Sequence, residues 1–301
     1  MHALPLAADI ARARADVQID WLCVETFAAI PSMSRHVTNV HRVALRRWRR
    51  RPFDPAVWHE VRVAKRGLHE SRFDLVLDAQ GLAKSAWIAR WTGAPVAGFD
   101  SATARESIAA QFYQQRFEVS RDLHAVERCR LLGALALGYE ISGAPRFDLA
   151  ARSGVQGKAR AVLLVNASRA TKLWGDERWL AVEHWLAEQG SASLLFSGSA
   201  AERDRTERLA AQMQRATVAP PSTLDTIAAT LATASIVIGL DTGLTHLAAA
   251  LGRPTVGIYC DYDPALVGLT GAAVASVGSA AEPPTVAEVI DAAAQVMSRS
   301  A

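Results

Sequence analysis

Short apolar runs alternate with longer amphipathic stretches along most of this chain. The runs are rich in branched residues, as at 161–165 (Ala-Val-Leu-Leu-Val) and 236–238 (Ile-Val-Ile), which is typical of strands buried in a parallel sheet. Stretches with helical spacing of apolar residues separate them, such as 224–233 and 285–297. This alternation of strand and helix predicts an α/β fold with parallel sheets.

One segment interrupts the alternation. Residues 142–158 lose the periodicity and contain three glycines and Pro145, a composition typical of a connecting segment. A chain of 301 residues that is 50% hydrophobic is long enough for two domains. We therefore predict two Rossmann-like domains, at 1–150 and 159–301.

Composition argues against several classes of protein. The chain contains no run of eighteen apolar residues, so we expect no transmembrane segment. Charged residues interrupt the N-terminal stretch from Asp9 onward, which argues against a signal peptide. The three cysteines, Cys23, Cys129 and Cys260, have neither metal-ligand spacing nor an evident disulfide pairing, which fits a reducing cytoplasm.

The most informative stretch is a turn between a strand and a helix. The turn 241–243 (Asp-Thr-Gly) follows the apolar run 236–238 and leads into an apolar helix that begins at Leu244. The first N–H groups of a helix have no internal partner and attract phosphate, and glycine lets the backbone approach it closely. Asp241 and His246 add groups that anion binding alone does not require. The plain alternative is that Asp241 only caps the helix.

Two further loops at predicted strand ends carry residues suited to a nucleotide. Ser168 and Lys172 follow the run 161–165, and the compact ammonium of a lysine suits a diphosphate. Glu202 follows a second predicted strand, where an acid can accept hydrogen bonds from the paired hydroxyls of a ribose. Alternatively, Glu202 is a favourable charge at a helix N-terminus.

The residues at these positions resemble one known family. The string D-T-G-L-T-H-L-A-A-A-L-G-R-P-T at 241–255 is similar to the nucleotide-sugar site of the heptosyltransferases of glycosyltransferase family 9. The patterns D-A-Q-G-L-A-K-S at 78–85 and D-P-A-L-V-G at 263–268 also match, the latter as in the heptosyltransferase I branch. The resemblance extends from His2 to about residue 271.

The resemblance implies a fold and a reaction. The fold is GT-B-like, with two doubly wound Rossmann-like domains facing a cleft. The reaction is an inverting transfer of L-glycero-D-manno-heptose from ADP-heptose to the Kdo residue of Kdo-lipid A in lipopolysaccharide inner-core synthesis. It would take place without cofactor or metal, by a peripheral protein on the cytoplasmic face of the inner membrane of a Gram-negative bacterium.

The resemblance also assigns binding residues by position. The donor residues that it implies are Ser168, Lys172, Glu202, Asp241, Thr242, Gly243, Leu244 and His246. The acceptor residues that it implies are Arg46, Arg47, Arg49, Arg50 and Arg105. Ala167 departs from the family, which usually has a hydroxyl at that position.

The arginines at 44–51 allow other interpretations. Most arginine clusters are solvated basic faces, but Trp48 interrupts this one, and it follows a predicted strand, where α/β folds present ligand loops. Arginine forks suit the carboxylates and phosphates of an acidic glycolipid. Nucleic acid is the rival partner, but the net charge is only +3 and no other basic stripe exists.

The catalytic base has no counterpart in the aligned residues. The segment His2-Ala3-Leu4-Pro5 matches a family pattern that follows a first strand and a loop carrying the proposed base, an aspartate. We therefore expect that strand and base upstream of Met1, with Asp78 as a weak alternative base. The more ordinary roles for Asp78 are a cap or a hydrogen bond to the acceptor. The rival functions are a binding protein without catalysis and a nucleotide-sugar epimerase.

Overall fold

The computed structural model describes residues 1–151, 160–280 and 282–299. The chain divides into two compact units, an N-terminal unit of residues 2–146 and a C-terminal unit of residues 147–301. The last seven residues of the predicted connecting segment, 152–158, lie outside the described residues. The domain bounds 1–150 and 159–301 stay a proposal.

The elements alternate as the apolar pattern predicts. The strands are β1 (Asp20–Val24), β2 (Asn39–Val43), β3 (Val76–Asp78), β4 (Val96–Phe99), β5 (Gln115–Phe117), β6 (Ala161–Leu164), β7 (Ser193–Leu195), β8 (Ala216–Val218), β9 (Ile236–Leu240), β10 (Thr255–Ile258) and β11 (Val274–Val277). The helices are α1 (Leu4–Ala13), α2 (Ala29–Ser32), α3 (Leu45–Arg50), α4 (Pro55–Glu70), α5 (Ala83–Ala89), α6 (Ala125–Leu137), α7 (Asp176–Glu188), α8 (Ala200–Ala210), α9 (Leu224–Ala232), α10 (Gly243–Ala250), α11 (Pro264–Val267) and α12 (Val286–Ser298).

The C-terminal unit is built on one parallel sheet of six strands in the order β11-β10-β9-β6-β7-β8. The central strands β6 and β9 are buried along their whole length, as expected for apolar runs covered on both faces. Trp174 and Trp179 pack against this core with their rings edge to face at 5.2 Å. Because all the strands are parallel, the loops that follow β6, β7, β9 and β10 lie at one edge of the sheet.

The N-terminal unit divides its strands between two parallel sheets, β1-β2 and β3-β4-β5. In the described part of the chain, β1 and β3 each pair with one neighbour only. Leu22 of β1 and Val43 of β2 pack in the same cluster as Ile88 and Trp91, which belong to the segment between β3 and β4. The two sheets therefore share apolar packing without a common hydrogen-bonded ladder.

A buried ion pair joins the first helix to the last helix of the N-terminal unit. Asp9 on α1 accepts a 2.6 Å hydrogen bond from Arg130 on α6, and both side chains are at most 3% exposed. Arg130 also donates to the main-chain oxygen of Gly143 at 3.0 Å. A buried pair needs such additional partners because desolvation of the two charges is costly.

No helix within the described ranges is long and apolar enough to span a membrane.

Candidate functional site

Three of the predicted donor residues meet at the carboxyl edge of the six-stranded sheet. Lys172 lies in the loop after β6, and Asp241 directly follows β9. The Lys172 ammonium donates to Asp241 Oδ2 at 2.5 Å and to the Asp241 main-chain oxygen at 3.0 Å. His246 Nε2 on α10 lies 3.1 Å from Asp241 Oδ1. One carboxylate thus connects the loop after β6 with the helix after β9.

The electrostatics of Asp241 follow from these partners. Burial is the largest single influence and opposes ionisation, but the hydrogen bonds and charges of His246 and Lys172 outweigh it. Together they lower the pKa of Asp241 from its ordinary value near 3.8 to about 2. The carboxylate is therefore ionised at neutral pH and balances the charge of the lysine beside it.

The N-terminus of α10 provides unpaired main-chain donors at the same place. Thr242 is the N-cap residue, in extended conformation, without a side-chain cap. A Cβ added to Gly243, the first residue of α10, would meet no atom within 4 Å. The backbone there is open to a ligand, and Leu244 follows it, partly buried. Because Asp241 binds Lys172 and His246 instead, the alternative in which it only caps the helix is wrong.

Ser168 lies in the loop after β6, and Glu202 lies in the first turn of α8, which follows β7. Ser168 is exposed after β6. Glu202 belongs to a capping box with Ser199 at the start of α8, and one of its oxygens accepts from the N–H groups of Gly198 and Ser199 at 2.7 and 3.0 Å. The geometry thus matches the helix-terminus role, and the ribose contact of Glu202 stays a prediction.

One further carboxylate at this edge is not among the predicted site residues. Asp261, in the loop after β10, accepts from Thr171 at 2.8 Å and pairs with Arg169 at 3.1 Å. The rule that loops after parallel strands converge could have identified Asp261, since it follows the segment 255–259 (Thr-Val-Gly-Ile-Tyr), which has the composition of a strand. No group of three or more His, Cys, Asp or Glu within the described ranges could hold a metal ion.

The arginines at 46–50 lie on a helix, α3, whereas the sequence analysis only placed them after a strand. Arg46, Arg49 and Arg50 are exposed. Arg47 instead binds Glu60 at 2.7 Å and Glu25 at 3.3 Å, and these two carboxylates raise its pKa. All four arginines are therefore at the surface, and Arg47, whose side chain is 50% exposed, also connects α3 to Glu25 and Glu60.

A cavity of about 400 Å³ opens beside this helix. Its polar lining comes from Arg42, Arg47, His59, Glu25 and Glu60. Cations and carboxylates are both present, so the cavity is not simply a basic pocket.

Arg105 lies elsewhere in the N-terminal unit, in the exposed turn after β4. Its backbone packs closely on Gly81, which has a φ of +64°, and a Cβ added to Gly81 would lie only 3.0 Å from Arg105 N. This contact brings Arg105 next to the predicted 78–85 turn. It is not brought together with α3, which follows a strand of the other sheet.

Asp78, the weak alternative base, is buried and fully hydrogen-bonded. Oδ1 accepts from the N–H groups of Gln80 and Gly81 at 2.9 and 3.4 Å, and Oδ2 accepts from Ser85 and Tyr113 at 2.8 and 2.7 Å. Burial and then the charge of Asp78 raise the pKa of the Tyr113 hydroxyl, so it remains a donor. A carboxylate with these partners matches the structural role.

Comparisons with known proteins agree with this architecture. Residues 61–292 match glycosyltransferase family 9 (heptosyltransferase). The chain is 40% identical over 286 residues to lipopolysaccharide heptosyltransferase 1 of Pseudomonas aeruginosa, covering 93% of this chain and 80% of that relative.

Solved structures agree as well. The E. coli heptosyltransferase WaaC with ADP superposes with a TM-score of 0.89 at 34% identity, covering 96% of this chain and 93% of that one. The structure of the same enzyme with ADP-2-deoxy-2-fluoro heptose has a TM-score of 0.84 at 32% identity, covering 100% of this chain and 95% of that one. The predicted α/β, GT-B-like fold class is confirmed, and the chain belongs to glycosyltransferase family 9, the heptosyltransferase family.

Proposed function

We propose that this protein is a heptosyltransferase that acts in the synthesis of the lipopolysaccharide core. The observation that carries the proposal is the Lys172–Asp241–His246 group beside the open N-terminus of α10, in a chain related along most of its length to lipopolysaccharide heptosyltransferases. The alternative of an inactive binding homologue is not favoured, since the relatives that match most of this chain are heptosyltransferases.

ADP-heptose is the donor that we propose. A related enzyme carries ADP or an ADP-heptose analogue, and the edge of the C-terminal sheet has groups suited to both. Lys172 and the first N–H groups of α10, at Gly243 and Leu244, would hold the diphosphate, with Ser168 as a further donor. Glu202 keeps one carboxylate oxygen outside its capping box for a ribose hydroxyl.

Transfer requires that the diphosphate leaves with its negative charge stabilised. A lysine and helix N–H groups arranged in advance stabilise such charge without reorganising during the reaction. Since Lys172 already rests against Asp241, the incoming diphosphate would share this lysine with the carboxylate.

The acceptor that we propose is the Kdo residue of Kdo-lipid A, bound by the N-terminal unit. Arg46, Arg49 and Arg50 present exposed guanidinium groups, which form paired hydrogen bonds with carboxylates and phosphates. Arg105 would add a contact from the turn after β4. We assign Arg47 to holding α3 rather than to direct contact.

We further propose that the protein works peripherally at the cytoplasmic face of the inner membrane. Phe53 and Trp58 follow the arginines and are 92% and 54% exposed. Exposed aromatic residues next to basic ones are suited to the interface of an anionic bilayer.

The acceptor hydroxyl must also lose a proton to a base. Asp78 is a poor candidate, because four donors already occupy its two oxygens. We therefore propose that Asp78 stabilises the 78–85 turn and takes no proton.

The direct test is a transfer assay. The purified protein is incubated with ADP-heptose and Kdo-lipid A, and the lipid is analysed by mass spectrometry while ADP release is followed. We expect a mass increase of one heptose per lipid together with equal release of ADP. Binding of ADP by calorimetry without any transfer would favour the inactive homologue instead.

A further inference from the structure

The loop that carries Lys172 is a single tight turn. Residues 170–172 form one turn of 3-10 helix, closed by the N–H groups of Lys172 and Leu173. Such a turn has few internal hydrogen bonds, so its position depends on what its side chains contact. Three of these side chains, at Arg169, Thr171 and Lys172, bind carboxylates of other loops.

The carboxylates come from two neighbouring strands. Asp241, after β9, binds Lys172, whereas Asp261, after β10, binds Thr171 and Arg169. Asp261 Oδ2 accepts from Thr171 Oγ1 at 2.8 Å and lies 3.1 Å from Arg169 Nη2. The turn is thus attached at two points to the adjacent part of the sheet.

Asp261 is poorly hydrated for an ionised group. Its side chain is 13% exposed, and its Oδ1 is buried without a hydrogen-bond partner among the described residues. Burial makes a charge depend strongly on the partners that remain. Among the described residues, Arg169 and Thr171 are the partners of this carboxylate, and both bind Oδ2.

We propose that Asp261 is a positioning residue for the donor diphosphate, acting through the turn at 169–172. This inference rests on the proposed function, because it takes Lys172 as a ligand of the diphosphate. A lysine side chain has many conformations, so a fixed backbone beneath it reduces the ordering that binding requires. Asp261 itself touches no part of the donor.

The test compares binding of ADP with binding of adenosine by calorimetry. Asp261→Ala should weaken ADP binding about tenfold, the scale of one charge-assisted hydrogen bond, and leave adenosine within about twofold. Asp261→Asn should fall between, because its amide oxygen still accepts from Thr171 but no longer attracts Arg169. Asp263→Ala is the matched control, since Asp263 lies two residues away and caps α11.

A double-mutant cycle separates positioning from a general structural role. If Asp261 acts through Lys172, the variant with both Asp261→Ala and Lys172→Ala should bind ADP no more weakly than Lys172→Ala alone. The inference would be overturned if the double variant lost ADP affinity by the product of the two single losses. It would also be overturned if Asp261→Ala lost adenosine affinity as much as ADP affinity. Absence of ADP binding by the unsubstituted protein would instead overturn the proposed function, and this inference with it.

Discussion

The two units of this protein use strands of three to five residues but organise them differently. The C-terminal unit joins six strands in one sheet, whereas the N-terminal unit divides five strands between two sheets. Leu163, Ile236 and Ile238 in the C-terminal core are 0% exposed. Members of the N-terminal core around Trp48 keep 3% to 8% exposure. Leu132, in another cluster of the N-terminal unit, is also 0% exposed, so the difference lies in the continuity of the sheet: the donor residues follow strands of one six-stranded sheet.

In the N-terminal unit, ion pairs and hydrogen bonds make some of the connections between elements that apolar packing makes in the C-terminal unit. Asp9 and Arg130 join α1 to α6, Asp78 joins the 78–85 turn to Tyr113, and Arg47 joins α3 to its neighbours. Such links depend on charge and geometry more than on area buried. The comparison therefore teaches that the same kind of damage will have different consequences in the two units.

The largest expected effect comes from the C-terminal core. Trp179→Ala removes a side chain that is 0% exposed and packed on Trp174, so the free energy of unfolding should fall by about 4–5 kcal/mol. Hydrogen exchange resolved to peptides should show the loss of protection within the 147–301 unit. An equal loss across residues 2–146 would mean that the units do not unfold separately.

The next effect tests the ionic support of the N-terminal unit. Arg130→Met leaves Asp9 buried, with Arg12 as its remaining ion-pair partner, and should lower the free energy of unfolding by about 3–4 kcal/mol. Arg12→Met is the control: its side chain is 38% exposed, so the expected cost is about 1 kcal/mol or less. Similar costs for both variants would contradict a special role for the buried pair.

The parts that could be predicted from sequence are those with local or periodic signals. Strands β6, β9 and β10 are apolar because both of their faces are buried, so the loops that follow them, and with them Lys172, Asp241 and His246, could be placed at one edge. The capping box of Ser199 and Glu202 also has a readable pattern, Ser-x-x-Glu.

The parts that were missed depend on pairing between distant residues. Nothing local shows that β1 and β3 belong to separate sheets, because strand pairing is set by the fold as a whole. Arg47 lies 22 residues from Glu25 and 13 from Glu60, so its ion pairs with them cannot be predicted from the cluster of arginines around it. The Asp261 contacts likewise span 90 residues.

A smaller effect concerns ligand binding at the C-terminal edge. Lys172→Ala should weaken ADP binding by about 1–3 kcal/mol, as expected for one charge-assisted hydrogen bond. Lys65→Ala, on an exposed position of α4 in the other unit, is the control. Calorimetry would measure both, and an unchanged affinity in Lys172→Ala would remove this lysine from the donor site.

The pH dependence of the same site should be smaller still. Because the pKa of Asp241 is lowered to about 2 in the folded protein, its contribution to stability is present above about pH 4 and is lost as pH falls toward 2. Between pH 5 and pH 3 the loss should be about 1 kcal/mol. Denaturant unfolding of the unsubstituted protein and of Asp241→Asn would measure this, since their difference should shrink over that interval. A constant difference would mean that Asp241 has no lowered pKa.

The smallest effect on stability, and the sharpest contrast within the N-terminal unit, concerns two arginines of one helix. Both side chains are exposed, and Arg47 in addition forms ion pairs with Glu25 and Glu60. We expect Arg49→Gln to leave the unfolding midpoint unchanged and to weaken binding of Kdo-lipid A about two- to fivefold, the scale of one exposed charge contact. Arg47→Gln should instead lower the midpoint, because two carboxylates beside α3 lose their common partner.

Binding of ADP separates these effects from a general loss of structure, because the donor residues belong to the other unit. Both arginine variants should bind ADP as the unsubstituted protein does, and vesicles containing Kdo-lipid A would report the acceptor. If Arg49→Gln weakened both ligands equally, the exposed arginines would support the fold rather than the acceptor. If Arg47→Gln reduced acceptor binding at an unchanged midpoint, the ion pairs with Glu25 and Glu60 would be a resting state that the acceptor replaces.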